Sequence, residues 1–293
     1  MNFFAVIVTY HPDLEHVKVM CESLINKNIK VILYDNTPIS IDMSSLDNEN
    51  IYKLGANGNK GLSIAYNDSI QFIENIYEKK EIEGFLFFDQ DSTILENNIV
   101  ELINEYKFIK EQDFTLGVLG ARPVNKEGKF YDVRKVKKQQ YFTDKFIELQ
   151  FVISSFSLVP YSTILNIGYY DEKLFIDLVD SEYSFRCAKY NLINLMSKNN
   201  LFTHEVGERK GTLLGIKSFA ISSPIRNYYQ ARNLILVGRD YGWYGFIIKK
   251  LSKRFVQILL SAYYSGDLFK RIKYFFKGIV DGIKYRGGRI DEL

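Results

Sequence analysis

Over its first half the chain alternates short apolar runs with stretches of helical periodicity, the pattern of strand-helix-strand units around a parallel sheet. It predicts strands at Phe3 to Val8, Lys30 to Tyr34, Ile51 to Leu54, Phe85 to Phe88 and Leu116 to Gly120. Between them Val17, Met20, Cys21 and Leu24 recur at helical spacing, as do Ile64, Ile70, Phe72 and Ile73. The expected class is therefore α/β, with a mostly parallel central sheet and flanking helices. In such sheets ligands bind at the C-terminal edge of the strands, here the edge carrying "TYHP", "DNT", "GANGNKG" and "DQD". After "ARPV" the alternation in "EGKFYDVRKVKKQQYFT" suggests a hairpin or flap, and "QFVISSFSLVP" another buried strand. "DLVDSEYSFRCAKYN" opens a helix with acids at its start, and a further helix runs from Pro224 to about Tyr241, with proline in a compatible first turn.

The chemistry concentrates at those strand ends. Asp89 and Asp91 follow a fully apolar strand, and two carboxylates so close repel unless a cation or hydrogen-bond donors hold them. A divalent metal completed by phosphate oxygens and water meets that need. The same letters also fit the nucleophile loop of a dehalogenase-type phosphatase. Asp35 in "DNT" suits a base N–H, a ribose hydroxyl or a plain Asx turn. The glycines of Gly55 to Gly61 let backbone approach a ligand at a helix start, but lack the order of a P-loop. Asp177, Asp180 and Glu182 exceed what a helix cap requires, and one of them is a candidate general base. Arg226, Tyr229, Arg232 and Asn233 share a cationic, polar helix side, where arginine forks suit a diphosphate or carboxylate.

Composition narrows the class. At 293 residues and 46% hydrophobic content the chain can bury a large core. Cys21 and Cys187 stand far apart with no CxxC, so they read as reduced buried thiols and indicate neither a disulfide framework nor a zinc site. No stretch approaches the length of a bilayer span. Charge is uneven: residues 241 to 293 hold 11 Lys and Arg against 4 Asp and Glu, whereas residues 1 to 240 hold 27 against 31. Within that tail Phe246, Ile247, Leu251, Phe255, Ile258 and Leu259, then Phe269, Ile272, Phe275, Phe276 and Ile279, are interleaved with lysine and arginine. Basic amphipathic helices of this kind lie on anionic membranes, the alternative being an ordinary pair of packed C-terminal helices. No nucleic-acid motif is present.

Taken in order, "VIVTYHP", "YDNT", "NGNKGLSIAYN", "FFDQDS", "FIDLVDSEYSFR", the His204 stretch and "SPIRNYYQARN" resemble the bacterial rhamnosyltransferase branch of glycosyltransferase family 2, over about residues 3 to 240. The resemblance implies a GT-A fold, a divalent metal (Mn²⁺ or Mg²⁺), and inversion at the anomeric carbon. It divides residues 1–240 into a nucleotide-binding half, 1–124, and an acceptor-binding half, 125–240, ahead of the tail, 241–293. It implies that Thr9 and Tyr10 line the base, that Asp35 bonds it, and that Asn59, Gly61 and Asn67 shape the pocket floor. Asp89 and Asp91 become the D-x-D pair, with His204 completing the metal site and Asp180 the base beside Glu182. Arg226, Tyr229 and Arg232 fall near the diphosphate or acceptor, as does Ser154, where the family often has Ser-Gly and this chain has Ser154-Ser155.

The donor so implied is a nucleotide diphospho-sugar, dTDP-rhamnose before UDP-hexose or UDP-galactofuranose. The acceptor is a lipid-linked oligosaccharide in cell-surface polysaccharide synthesis. The enzyme is expected in the cytoplasm, peripheral on the inner face of the plasma membrane. A phosphatase requires its nucleophile on the first core strand, whereas "DQDST" follows three expected strands. A non-catalytic scaffold of the same fold is the other alternative.

Overall fold

The computed structural model describes residues 2–39, 41–55, 58–112, 114–131, 133–136, 144–204, 209–210, 219–220 and 223–290. In chain order the strands are β1 (Asn2–Thr9), β2 (Lys30–Asp35), β3 (Ile51–Gly55), β4 (Ile82–Asp89), β5 (Leu116–Val124), β6 (Phe146–Glu148), β7 (Ser157–Pro160), β8 (Ile193–Thr203), β9 (Arg209–Lys210) and β10 (Phe219–Ala220). The helices are α1 (Leu14–Ile25), α2 (Leu62–Ile76), α3 (Glu96–Lys110), α4 (Tyr161–Ile167), α5 (Val179–Lys189), α6 (Pro224–Asp240), α7 (Tyr244–Ser265) and α8 (Leu268–Ile283).

Eight strands form one sheet in the order β3-β2-β1-β4-β7-β5-β8-β6. All five strands expected from the apolar runs are present, and β1 pairs in parallel with both β2 and β4. The sheet is nonetheless mixed. β7 runs antiparallel to β4 and to β5, and β6 antiparallel to β8. The buried strand expected over "QFVISSFSLVP" is shorter than its apolar run: only Ser157–Pro160 is extended. Ahead of it Ser154 O accepts from both Ser157 N and Ser157 Oγ, and Phe156 takes a left-handed φ of 52°. That turn takes the preceding residues out of the sheet and toward the strand ends.

Strand alternation sorts the core. Ala5, Ile7, Leu86 and Phe88 face α1 and α3, packing with Val17, Met20, Cys21, Leu24, Ile99 and Leu102. Phe85 and Phe87 face the other way, where Phe87 meets Tyr66 of α2 at 4.6 Å and Tyr170 at 5.5 Å. Asp89, two residues beyond Phe87, ends the strand on that same side. Asp13 caps α1 by accepting from Glu15 N and His16 N, while α2 starts after Gly61, whose φ of 90° is costly for other residues. Both cysteines are free and buried, and burial pushes both thiols up to about 12.

The chain falls into two compact units, one of residues 1–170 and 180–205, the other of 171–179 and 206–293. α6 thus groups with the C-terminal helices and with residues 171–179. The expected flap begins with a turn closed by Gly128 N on Asn125 O, but residues 137–143 lie outside the described chain. Among the described residues, no helix is long and apolar enough to cross a membrane.

Candidate active site

The first unit gathers the acidic groups at one sheet edge. Asp89 closes β4, Asp91 follows in the next turn, and His204 directly follows β8. One ligand atom from each of the three lies within 4.8 Å of the others. Sequence separates His204 from Asp91 widely; the sheet reunites them, because the end of β8 and the segment after β4 meet in a bridge between Thr93 and Thr203. The main chain of His204 is pinned, its N–H donating to Val124 O and its carbonyl accepting from Tyr131 Oη.

The electrostatics suit a cation. Burial, then the neighbouring Asp91 charge, pushes the Asp89 carboxyl up to about 6, with the Ser155 hydroxyl opposing the shift. Burial pulls His204 below the usual imidazole range, against the pull of Asp91, so the ring is neutral at physiological pH. Its Nδ1 is buried without a hydrogen-bond partner. Two carboxylates and a neutral imidazole with an orphaned nitrogen are a donor set that fits Mn²⁺ or Mg²⁺. A protonated carboxyl cannot serve as such a ligand. Divalent-metal affinity is therefore expected to fall about tenfold per pH unit below about pH 6. Mn²⁺ titration by calorimetry at about pH 5 and about pH 7.5 checks this; equal affinities would remove Asp89 from the ligand set.

Asp180 stands in the first turn of α5. Its Oδ1 accepts from Ser181 N at 2.7 Å and Ser181 Oγ at 3.3 Å. Burial pushes its carboxyl up to about 6; the Asp89 charge also raises it, while the Ser181 and Ser154 main chains pull down. The loop before β7 thus serves both acids. Ser154 supports Asp180 through its main chain, and Ser155 lies against Asp89, with its Oγ 2.7 Å from Ser92 Oγ. The departure at Ser155 therefore bears on the D-x-D turn, a role its sequence neighbourhood did not disclose. Glu182 points elsewhere, forked onto Arg186, which also holds the carbonyls of Ile167 and Tyr169.

The neighbouring strand ends form a second cluster. Asp35 is buried, its Oδ1 accepting from Thr37 N at 2.9 Å and Thr9 Oγ1 at 3.4 Å, so the Asx turn at "DNT" is real. Asn36, not singled out from the sequence, ties this turn to the glycine loop by donating to Gly61 O and accepting from Lys60 N. Asn59 Oδ1 accepts from Gly61 N. Gly55 lies so close to Asp35 that an added Cβ would stand 2.3 Å from its carbonyl oxygen. Tyr10 is half exposed, and its peptide is gripped on both sides by Gln90, whose Oε1 accepts from Tyr10 N and whose Nε2 donates to Tyr10 O. The residue between the two aspartates thus ties the first strand's end to the D-x-D turn. Asn67 is buried and exchanges two hydrogen bonds with the Tyr170 main chain, a framework contact.

Arg226, Tyr229 and Arg232 belong to the second unit, where α6 holds residues 173–177. Arg226 forks onto the Asp177 carboxylate; Tyr229 stacks on Phe175 at 4.9 Å. Arg232 is fully buried, donating to the carbonyls of Lys173 and Gly288. Asn233 donates to those of Ile176 and Asp177. The held segment is strained, since Asp177 and Leu178 both have a φ of 65°. The helical spacing of these polar residues identified a shared face; that face grips a backbone segment. Arg232→Ala strands buried carbonyls and opens a cavity, and is expected to cost about 3 kcal/mol or more in urea unfolding. A loss under about 1 kcal/mol would mean that the clamp contributes little.

The mixed open sheet with flanking helices is a GT-A fold, and its likeness to known glycosyltransferases sets the class: the protein is a glycosyltransferase. Among solved structures it matches GalNAc-T7, determined with UDP, GalNAc and Mn²⁺, with a TM-score of 0.56 and 14% identity over 97% of this chain; the chain spans 56% of that structure. It also matches residues 1–349 of S. aureus TarS in complex with UDP-GlcNAc, with a TM-score of 0.51 and 14% identity, covering 100% of this chain and 95% of that one. In sequence it is 28% identical over 246 residues to the dTDP-rhamnosyl transferase RfbF of Shigella flexneri, covering 81% of this chain and 80% of the relative. No family model matches the chain.

Proposed function

We propose that this enzyme moves rhamnose from dTDP-rhamnose onto a lipid-linked saccharide, with inversion at the anomeric carbon and dependence on Mn²⁺ or Mg²⁺. The observation that carries this reading is Asp180 close enough to Asp89 to feel its charge, with Asp89, Asp91 and His204 clustered beside it. The donor follows from the relative named for dTDP-rhamnose.

Asp35 and Thr9 face the nucleoside, with Tyr10 as an aromatic wall and the Asn59 to Gly61 loop beneath. Asp89, Asp91 and His204 hold the metal, which when bound supplies positive charge against the departing diphosphate. Asp180, held by Ser181 and the Ser154 main chain, takes the proton of the acceptor hydroxyl as that oxygen bonds to the anomeric carbon. The sugar-phosphate bond breaks on the opposite face and its electron pair leaves with dTDP. A single displacement with one base inverts the centre. Product release returns the proton from Asp180 to solvent. The acceptor is met at the inner face of the plasma membrane, in cell-surface polysaccharide assembly, with the C-terminal helices against the anionic lipid.

A thermal-shift panel tests the donor. With Mn²⁺ present, dTDP and dTDP-rhamnose are expected to raise the melting temperature more than UDP, UDP-glucose, UDP-galactose or GDP, because only a ligand of the folded state stabilises it. A larger shift with the uridine nucleotides would transfer the reading to a UDP-hexose or UDP-galactofuranose enzyme.

A further inference from the structure

The two C-terminal helices each carry two apolar faces, and packing consumes only one. On the inner side Ile258 of α7 and Phe275 of α8 join Ala231 of α6 in a core. α8 lies so close to α6 that a Cβ at Gly278 would stand 2.3 Å from Tyr228 O. Ordinary helix packing is thus satisfied. On the outer side of α8, Phe269, Phe276, Val280 and Ile283 are exposed at steps of seven, four and three residues, one continuous row, with Phe269 at 88%. On α7 the exposed row is Tyr244, Ile248, Val256, Leu259 and Tyr263. Elsewhere among the described residues, exposed large apolar side chains come one or two to an element.

The charge around these rows has one sign. α7 contains no acid. Asp281 of α8 is buried among Lys277, Arg286 and Tyr228, and Asp267 is paired with Arg271. Lys249, Lys253, Lys270 and Lys273 are exposed and make no ion pair among the described residues. Lys273 falls inside the α8 row itself. The core of a protein interface is depleted in lysine, whereas at a bilayer surface lysine lays its stem along the apolar row and reaches the phosphates. Tyrosines at both ends of the α7 row suit the headgroup level.

We infer that the outer rows of α7 and α8 form a bilayer-docking face that lies flat in an anionic leaflet, apolar side chains among the acyl chains and lysines on the lipid phosphates. This deepens the membrane contact proposed above by naming the face. It is read without donor or metal, so failure here leaves the transferase reading standing, and the reverse.

The test is co-sedimentation of the full chain with vesicles of phosphatidylglycerol and cardiolipin, against vesicles of phosphatidylcholine. The protein is expected to pellet with the anionic vesicles only, and to be released as salt rises. Reversing Lys249, Lys253, Lys270 and Lys273 to glutamate is expected to weaken binding about a hundredfold or more. Phe269→Ser with Phe276→Ser, which keeps every charge, is expected to weaken it at least tenfold. All six positions are solvent-facing, and an unchanged melting temperature shows the fold is retained. Wild-type protein left in the supernatant, variants that pellet like wild type, or light scattering showing a dimer abolished by the phenylalanine changes would each overturn the proposal.

Discussion

Asp180→Asn is expected to lower sugar transfer by about 10²–10⁴-fold while leaving metal-dependent nucleotide binding intact. The amide keeps the carbonyl oxygen that Ser181 N and Oγ approach, so the helix start is preserved and only the proposed proton acceptor is lost. Two pH measurements distinguish this from damage. In the wild type Asp180 is ionised only above about 6, so if it is the base the transfer rate should climb through that region and level off above it. Stability should move the other way. The folded pKa lies above the ordinary carboxyl value of about 3.9, so the ionised Asp180 destabilises the metal-free fold above that value. Asp180→Asn escapes that cost, and should be more stable near pH 7 by up to about 3 kcal/mol, the advantage shrinking as pH falls from about 6 and gone below about pH 4. Retention of more than a few per cent of transfer would place the base on another residue.

Asp91→Ala is expected to abolish the metal-dependent part of nucleotide binding. At a ligand concentration about a hundredfold over Kd, binding stabilises the fold by roughly 2.7 kcal/mol, a rise of several degrees in melting temperature. That rise should vanish in the variant and in wild type treated with EDTA. His204→Ala removes a neutral ligand where Asp91→Ala removes a charged one, so it should weaken the metal less. If nucleotide stabilises Asp91→Ala as it does the wild type, the D-x-D pair has a structural role and the cation lies elsewhere.

The parts of this enzyme legible in its sequence are those set by local pattern. The apolar runs located β1 to β5, Pro224 marked the start of α6, and the two carboxylates after a hydrophobic strand marked the site. Strand direction was not legible: a short strand buried on both faces has the same letters either way, so the antiparallel β7 between β4 and β5 was invisible. Contacts at long range were likewise hidden. Gln90 reads as a spacer between aspartates until Tyr10 is seen in its grip. Arg232 reads as a ligand-seeking cation until its face is found turned onto the backbone of residues 173–177.

The antiparallel strand has a consequence for how the enzyme is made. β1 to β4 pair among themselves in parallel, so that piece needs nothing made later, but β4 and β5 never meet, and the sheet is joined only when β7 enters between them. β8 and His204 come later still. A nascent chain therefore presents Asp89 and Asp91 well before their third partner exists, and its early four-strand piece leaves β4 with an open edge. Long-range closure of this kind is slow and prone to association in the interval. A cation held by Asp89, Asp91 and His204 together would find its full ligand set only once β8 is in place.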